Sequence, residues 1–197
     1  MSASEPREPS VLALASSPVV SLAEGTSVRD AIRIMAEKGF RRLPIVEPGT
    51  GRLKGIITAT DIIGYLAYGP KHELLTRKYG EDLERALGEP VSNVGTKDVV
   101  SIRLDGSLSE AIRLMAERKV GGLPVVDQDG RLWAIITERD VVKALAGKIT
   151  GSKVSELMTP NPVVIGEAEK VLDAVRKMVS SGFRRLPVVG PDGRLVG

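Results

Sequence analysis

The chain has no cysteine and a single histidine, His72. Disulfides, thiolate metal sites and thiol redox chemistry are thereby excluded, and one imidazole argues against a zinc centre. Aromatic residues make up only 3% of the sequence, and charge is close to balance, with 28 Lys and Arg against 25 Asp and Glu for a net charge of +3. Surfaces dedicated to nucleic acid carry a stronger basic bias or stacking aromatics, so composition argues against that class while leaving anionic small molecules easy to accommodate. No stretch approaches the ~20 apolar residues of a membrane span. Residues 1–10, Met1 to Ser10, are polar and proline-bearing with no apolar leader core. The expectation is a cytoplasmic protein with no membrane association, disordered over residues 1–10. What the chain does have is 42% hydrophobic residues in 197, enough for a substantial core or two small ones.

Those residues recur. Ala31-Ile32-Arg33-Ile34-Met35-Ala36-Glu37 returns as Ala111-Ile112-Arg113-Leu114-Met115-Ala116-Glu117 and more loosely as Ala174-Val175-Arg176-Lys177-Met178. Each copy runs on to a Leu-Pro segment: Leu43-Pro44-Ile45-Val46, Leu123-Pro124-Val125-Val126 and Leu186-Pro187-Val188-Val189. A small unit repeated in this way buries its apolar face against its neighbours, which places sites between copies.

In copy one, Val28, Ala31, Ile32 and Met35 fall at i, i+3, i+4 and i+7, the pattern of a helix with one buried face. The three methionines Met35, Met115 and Met178 are expected in the core, and Gly39 is expected to close the first helix. The turn chemistry of Glu47 to Gly51, and of Asp127 to Gly130 in copy two, predicts a hairpin after that helix. A second helix follows at Asp61–Ala67 and at Asp140–Ala146, and a short strand is expected before each first helix, at Pro18–Ser21, Asp98–Ser101 and Pro162–Ile165. The unit is strand, helix, strand, strand, helix, an α+β fold. Units cover 11–69, 91–150 and, in part, 151–197, with a helical insertion at 70–90 broken near Gly80; His72 reads as an exposed or capping residue of that insertion. Trp133 reads either as an interface plug or as a cap on the core. Copy three stops at Gly197, which aligns with Gly55, so its last strand and helix are missing. The expectation is a fragment of a longer protein whose third copy is disordered, docked on the first pair or paired with another chain, leaving Val188, Val189, Leu195 and Val196 uncovered.

The order of elements, the Arg-Arg-Leu-Pro-Ile-Val and Gly-Gly-Leu-Pro-Val-Val segments, and the ending Gly55-Ile-Ile-Thr-Ala-Thr-Asp61 resemble cystathionine beta-synthase (CBS) domains. The resemblance implies tandem CBS units paired with pseudo-two-fold symmetry, and adenosine-type ligands bound in clefts between copies. It implies a nucleotide site from Thr58, Thr60 and Asp61 in copy one and Thr137, Arg139 and Asp140 in copy two, together with Ser17, Pro18, Val19, Lys97, Asp98 and Val99. The chemistry is sound. An ionised carboxylate accepts from both hydroxyls of a vicinal diol, and a helix N-terminus suits phosphate. Arg41 and Arg42 add guanidinium groups to copy one, where copy two has Gly121-Gly122 and Ala134 in place of Gly55. The favoured site is therefore copy one, with Asp61 on the ribose. The same Thr-x-x-Asp spacing is also that of an ordinary capping box, which Ser27-x-x-Asp30 and Ser107-x-x-Glu110 share.

The reading that follows is a regulatory adenine-nucleotide sensor for AMP, ADP or ATP. It has no cofactor and no catalysis, works as a homodimer through paired units, and acts on an unidentified regulated protein. The alternatives are a ligand-free oligomerisation scaffold and a nucleic-acid-binding regulator, the latter drawn from a pI near 9.2 and the basic residues Arg41, Arg42, Arg184 and Arg185.

Overall fold

The structure, a computed structural model, describes residues 9–67, 69–80, 82–146, 153, 158–183 and 185–197; Arg184 and most of the expected disordered N-terminus lie outside them. Copy one consists of α1 (Val11–Leu14), β1 (Leu22–Ala23), α2 (Val28–Lys38), β2 (Arg42–Val46), β3 (Leu53–Thr58) and α3 (Ala59–Ala67). Its insertion supplies α4 (Pro70–Tyr79) and α5 (Leu83–Ala86), separated at Gly80 as the sequence suggests. Copy two repeats the plan with α6 (Val91–Val94), β4 (Ile102–Arg103), α7 (Leu108–Arg118), β5 (Gly122–Val126), β6 (Leu132–Thr137) and α8 (Glu138–Leu145). Copy three has β7 (Ile165–Gly166), α9 (Val171–Ser181) and β8 (Val188–Val189).

Local chemistry explains the helices. Ser27 and Ser107 each accept from the backbone N–H three residues on, at 3.1 Å, which satisfies an amide that the first turn leaves unpaired. Gly39 takes the left-handed conformation (φ 65°) that ends α2, and the Phe40 N–H returns to the Met35 carbonyl at 3.0 Å. Val28, Ala31 and Met35 of α2, with Leu108, Ala111 and Met115 of α7, are buried against their own sheets. Each such aliphatic side chain contributes about 1.5–3 kcal/mol. Met178 departs from this expectation: it is half-buried, and α9 has no buried residue at all.

Within each unit the first strand pairs parallel to the second, and the second forms an antiparallel hairpin with the third, giving order β1-β2-β3 and β4-β5-β6. The first strands begin later than the sequence suggests, at Leu22, Ile102 and Ile165. In copies one and two the reason is an exchange between them. Ser16 pairs with Ile135 of β6, and Thr96 pairs with Ile56 of β3, so each copy sends its leading segment onto the other copy's sheet. Residues 18–21 and 98–101 then bridge the two sheets instead of extending either one. The leading helices follow: Val11 of α1 is buried in the core of copy two, and Val91 and Val94 of α6 in that of copy one. The two hairpin turns also meet, with the Leu53 N–H on the Gly130 carbonyl at 2.9 Å and the Leu132 N–H on the Gly51 carbonyl at 3.0 Å. These reciprocal bonds are the pseudo-two-fold relation.

Glu89, fully buried, ties the insertion to this pair. Its carboxylate accepts from Lys78 Nζ at 2.9 Å, Asn93 Nδ2 at 2.6 Å and the Tyr79 hydroxyl. Burial pushes its pKa up, but the bonds from Tyr79, Lys78 and Asn93 together outweigh that and hold it below the ordinary 4.5. Burial pushes the neighbouring Tyr65 hydroxyl up to about 12, and that hydroxyl donates to the Ala86 carbonyl at 3.0 Å. Trp133 does not cap the core. It is 54% exposed, and its indole N–H donates to Asp127 Oδ2 at 3.1 Å. In copy three α9 packs against α3, while Leu195 and Val196 are 70% and 56% exposed and Val188 and Val189 half-buried.

Candidate functional site

The leading-segment exchange carries Pro18 and Val19 over the face of copy two, where they meet the junction of β6 with α8. The start of β2 arrives from the other side with Arg41 and Arg42. Between them lies a cavity of about 670 Å³, lined also by Thr137, Arg139 and Asp140. Arg42 pairs with Thr58 in the ladder of its own sheet, yet its guanidinium reaches across to Gly122 of copy two. A Cβ at Gly122 would collide with that guanidinium and stand 3.1 Å from the Ile136 carbonyl. Gly121-Gly122, which in the sequence looks like the loss of a basic pair, is thus the space that receives the other copy's arginine.

The cavity is cationic. Arg41, Arg42, Arg139, Lys143 and Arg185 line it against two acids, Glu138 and Asp140. Asp140 sits in the first turn of α8, where its Oδ2 accepts from the Thr137 N–H at 2.9 Å and the Thr137 hydroxyl at 2.6 Å. This is the capping box that the spacing allows, and it uses one carboxylate oxygen. Oδ1 has no hydrogen-bond partner among the described residues. One carboxylate oxygen at a helix N-terminus, ringed by cations, can accept from hydroxyl groups while its surroundings hold an anion.

Copy one is built alike and ends differently. Asp61 Oδ2 accepts from the Thr58 N–H at 2.8 Å and the Thr58 hydroxyl at 2.7 Å, but its Oδ1 is bonded to Lys71 Nζ of α4. The α4 start is fixed there by His72, whose Nδ1 lies 3.0 Å from the Tyr65 carbonyl in the last turn of α3, a capping role. The expected grouping of Arg41 and Arg42 with Asp61 is therefore corrected: across the pseudo-two-fold they join Thr137 and Asp140. Ser17, Thr58, Thr60, Asp61, Asp98 and Val99 do not line the large cavity, and Lys97 lines a smaller one of about 200 Å³ beside Gly55 and Gly95. Gly55 serves that close approach of backbones, since a Cβ there would stand 3.0 Å from the Thr96 carbonyl.

Residues 11–68, 91–147 and 154–197 match the model of the CBS domain. The chain belongs to the CBS-domain family. It is 37% identical over 180 residues to protein MJ1225 of Methanocaldococcus jannaschii, covering 91% of this chain and 64% of that protein. The crystal structure of MJ1225, described as a proposed archaeal homolog of g-AMPK, superposes with a TM-score of 0.91 at 36% identity over 96% of this chain and 68% of that one. A 33.4 kDa protein in a ribosomal RNA operon of Thermofilum pendens is 30% identical over 172 residues, 87% of this chain and 57% of its own length. The chain thus spans somewhat under two thirds of these two sequences. CBSX2 in complex with AMP shares 28% identity at a TM-score of 0.58, covering 70% of this CBS chain and 96% of its own.

Reasoning from sequence missed several lining residues. Lys143 sits one turn along α8 from Asp140, where i, i+3 spacing could have flagged it, while Glu138 opens that helix at i−2 and carries no such signal. Phe40 and Ser16 carry no motif. Arg185 stood out in the sequence only as part of a basic cluster, yet copy three delivers it to the cavity between copies one and two.

Proposed function

We propose that this chain is the sensing part of a regulatory CBS protein and binds an adenine nucleotide, AMP, ADP or ATP, in the large cavity. The observation that carries this reading is the pairing of one carboxylate oxygen left open at Asp140 with five cations around it. Asp140 Oδ1 accepts from the ribose hydroxyls. Arg41, Arg42, Arg139, Lys143 and Arg185 hold the phosphates, and the aliphatic wall of Pro18, Val19 and Ile135 covers the base. CBSX2, solved with AMP, gives the reading its support from a relative.

Binding proceeds without turnover in this reading, and the signal passes to a partner as a change in how the copies sit together. A homodimer is part of the proposal: Trp133 is 54% exposed, apolar surface that a second chain would cover. Among the described residues no helix is long and apolar enough to cross a membrane, and a cytoplasmic location belongs to the same proposal.

The direct test is calorimetry with AMP on the purified chain. One equivalent bound, with affinity falling as salt rises, is the expected result. A flat titration with AMP, ADP and ATP would favour the scaffold reading instead.

A further inference from the structure

Copies one and two present the same Thr-x-x-Asp box, yet of their two aspartates only Asp140 keeps a carboxylate oxygen without a hydrogen-bond partner among the described residues. Asp140 lines the large cavity with Oδ1 unbonded among the described residues, whereas Asp61 Oδ1 is bonded to Lys71. The Asp61 side chain is 14% exposed and that of Lys71 35%. Lys71 is not a neighbour in the repeat. It comes from the second residue of α4, in the insertion that separates copy one from copy two, and it is held there by His72 on the Tyr65 carbonyl and by Leu75, which is buried in the core of copy one.

We propose that Lys71 decides which copy of the pair binds: its ammonium occupies the ribose-binding oxygen of Asp61 and keeps a second site in copy one shut, leaving one open site per pair. This rests on the reading of Asp140 as the ribose ligand. The ammonium group stands in for the hydroxyl donors of a vicinal diol. It is the stronger partner, because the pair is charge-assisted on both sides and the carboxylate is largely out of water.

The chemistry of the shut site follows from the pseudo-two-fold. The pairing of Thr96 with Ile56 mirrors that of Ser16 with Ile135, so Asp98 takes the place that Pro18 has in the open cavity. The arginines of copy one have crossed to the other side, and Gly121-Gly122 brings no side chain back. A site opened by removing Lys71 therefore has a carboxylate where the open cavity has Pro18, and Gly121, Gly122, Thr60 and Gly64 where it has Arg41, Arg42, Arg139 and Lys143, against one added cation, Lys119 in the place of Gly39. It takes an uncharged nucleoside in preference to a nucleotide. The insertion is thus a specificity element, and whatever moves α4 changes the binding stoichiometry of the pair.

The experiment isolates copy one by disabling copy two. Adenosine and AMP are titrated calorimetrically into full-length wild type, Asp140→Asn, Asp140→Asn with Lys71→Ala, and Asp140→Asn with Lys71→Arg, all checked for native melting. Asp140→Asn is expected to bind AMP about 10- to 150-fold more weakly than wild type. Adding Lys71→Ala should create one adenosine site, at least about tenfold tighter than in Asp140→Asn alone, with AMP bound more weakly than adenosine. Lys71→Arg, which restores the ion pair, should show no gain over Asp140→Asn alone. Adenosine affinity in Asp140→Asn equal to that of Asp140→Asn with Lys71→Ala, that is no gain on removing Lys71, overturns the latch. Equal gain with Lys71→Arg does so as well. The wild-type AMP titration separately reports on the open cavity, so a silent wild type beside a binding Asp140→Asn, Lys71→Ala protein would refute the proposed function and leave the latch standing.

Discussion

Replacing Asp140 by Asn tests the open cavity most directly. Oδ2 of the carboxylate caps α8 through Thr137 at 2.9 and 2.6 Å, and Oδ1 has no hydrogen-bond partner among the described residues. Asn keeps the shape of the group but removes the charge, so the ribose loses a charge-assisted acceptor worth about 1.5–3 kcal/mol. That corresponds to an AMP affinity loss of about 10- to 150-fold. Weakening of the cap adds a stability loss of about 1 kcal/mol, which lowers the melting temperature by only about 2–4 °C in a chain of this size. The two effects separate in one pair of measurements, calorimetry for affinity and a thermal melt without ligand for stability. Asp61→Asn is the internal comparison. It loses a similar cap and its ion pair with Lys71, but AMP affinity should stay within about twofold, since measured couplings between separated sites are small. Unchanged affinity in Asp140→Asn, or an equal loss in Asp61→Asn, would refute the assignment of the ribose to copy two.

Arg42→Ala should bring AMP and adenosine affinities closer together and flatten the salt dependence of AMP binding, which calorimetry at low and high salt checks. Gly122→Ala should displace the Arg42 guanidinium with which its Cβ would collide, costing about 1–3 kcal/mol of stability by overpacking and weakening AMP along with it. Saturating AMP at 100 times its dissociation constant should stabilise the wild type by about 2.7 kcal/mol, and a melt that does not move would count against the site. Glu89 has its pKa held below the ordinary 4.5, so its contribution to stability is present above about pH 4.5 and is lost as pH falls through the lower folded value. The melting-temperature gap between wild type and Glu89→Gln should therefore be full at pH 6 and shrink toward pH 3; a gap that grows on acidification would reverse the assigned sign.

The repeats, the longer helices and the hairpins were legible in the sequence, because each depends on signals a few residues apart. Val28, Ala31 and Met35 mark the buried stripe of α2, Ser27 starts it and Gly39 ends it, and none of these needs knowledge of the rest of the chain. The Thr-x-x-Asp boxes were equally legible, and as capping boxes they formed in both copies. The short helices α1 and α6 were not, since a single turn such as Val11–Leu14 has no periodicity of its own and is held by burial in the opposite copy.

What only the tertiary structure decided is which residues share a cavity. Ser16 and Thr96 pair across copies, and that pairing of the two copies brings the arginines of copy one to the aspartate of copy two, while the packing of α4 on α3 lets a lysine of the insertion reach the aspartate of copy one. Local spacing fixes backbone conformation through bonds within a turn. The partner of a long side chain is fixed by which surfaces are brought within a few ångströms, and in a chain of near-identical units the sequence presents every copy as equally eligible.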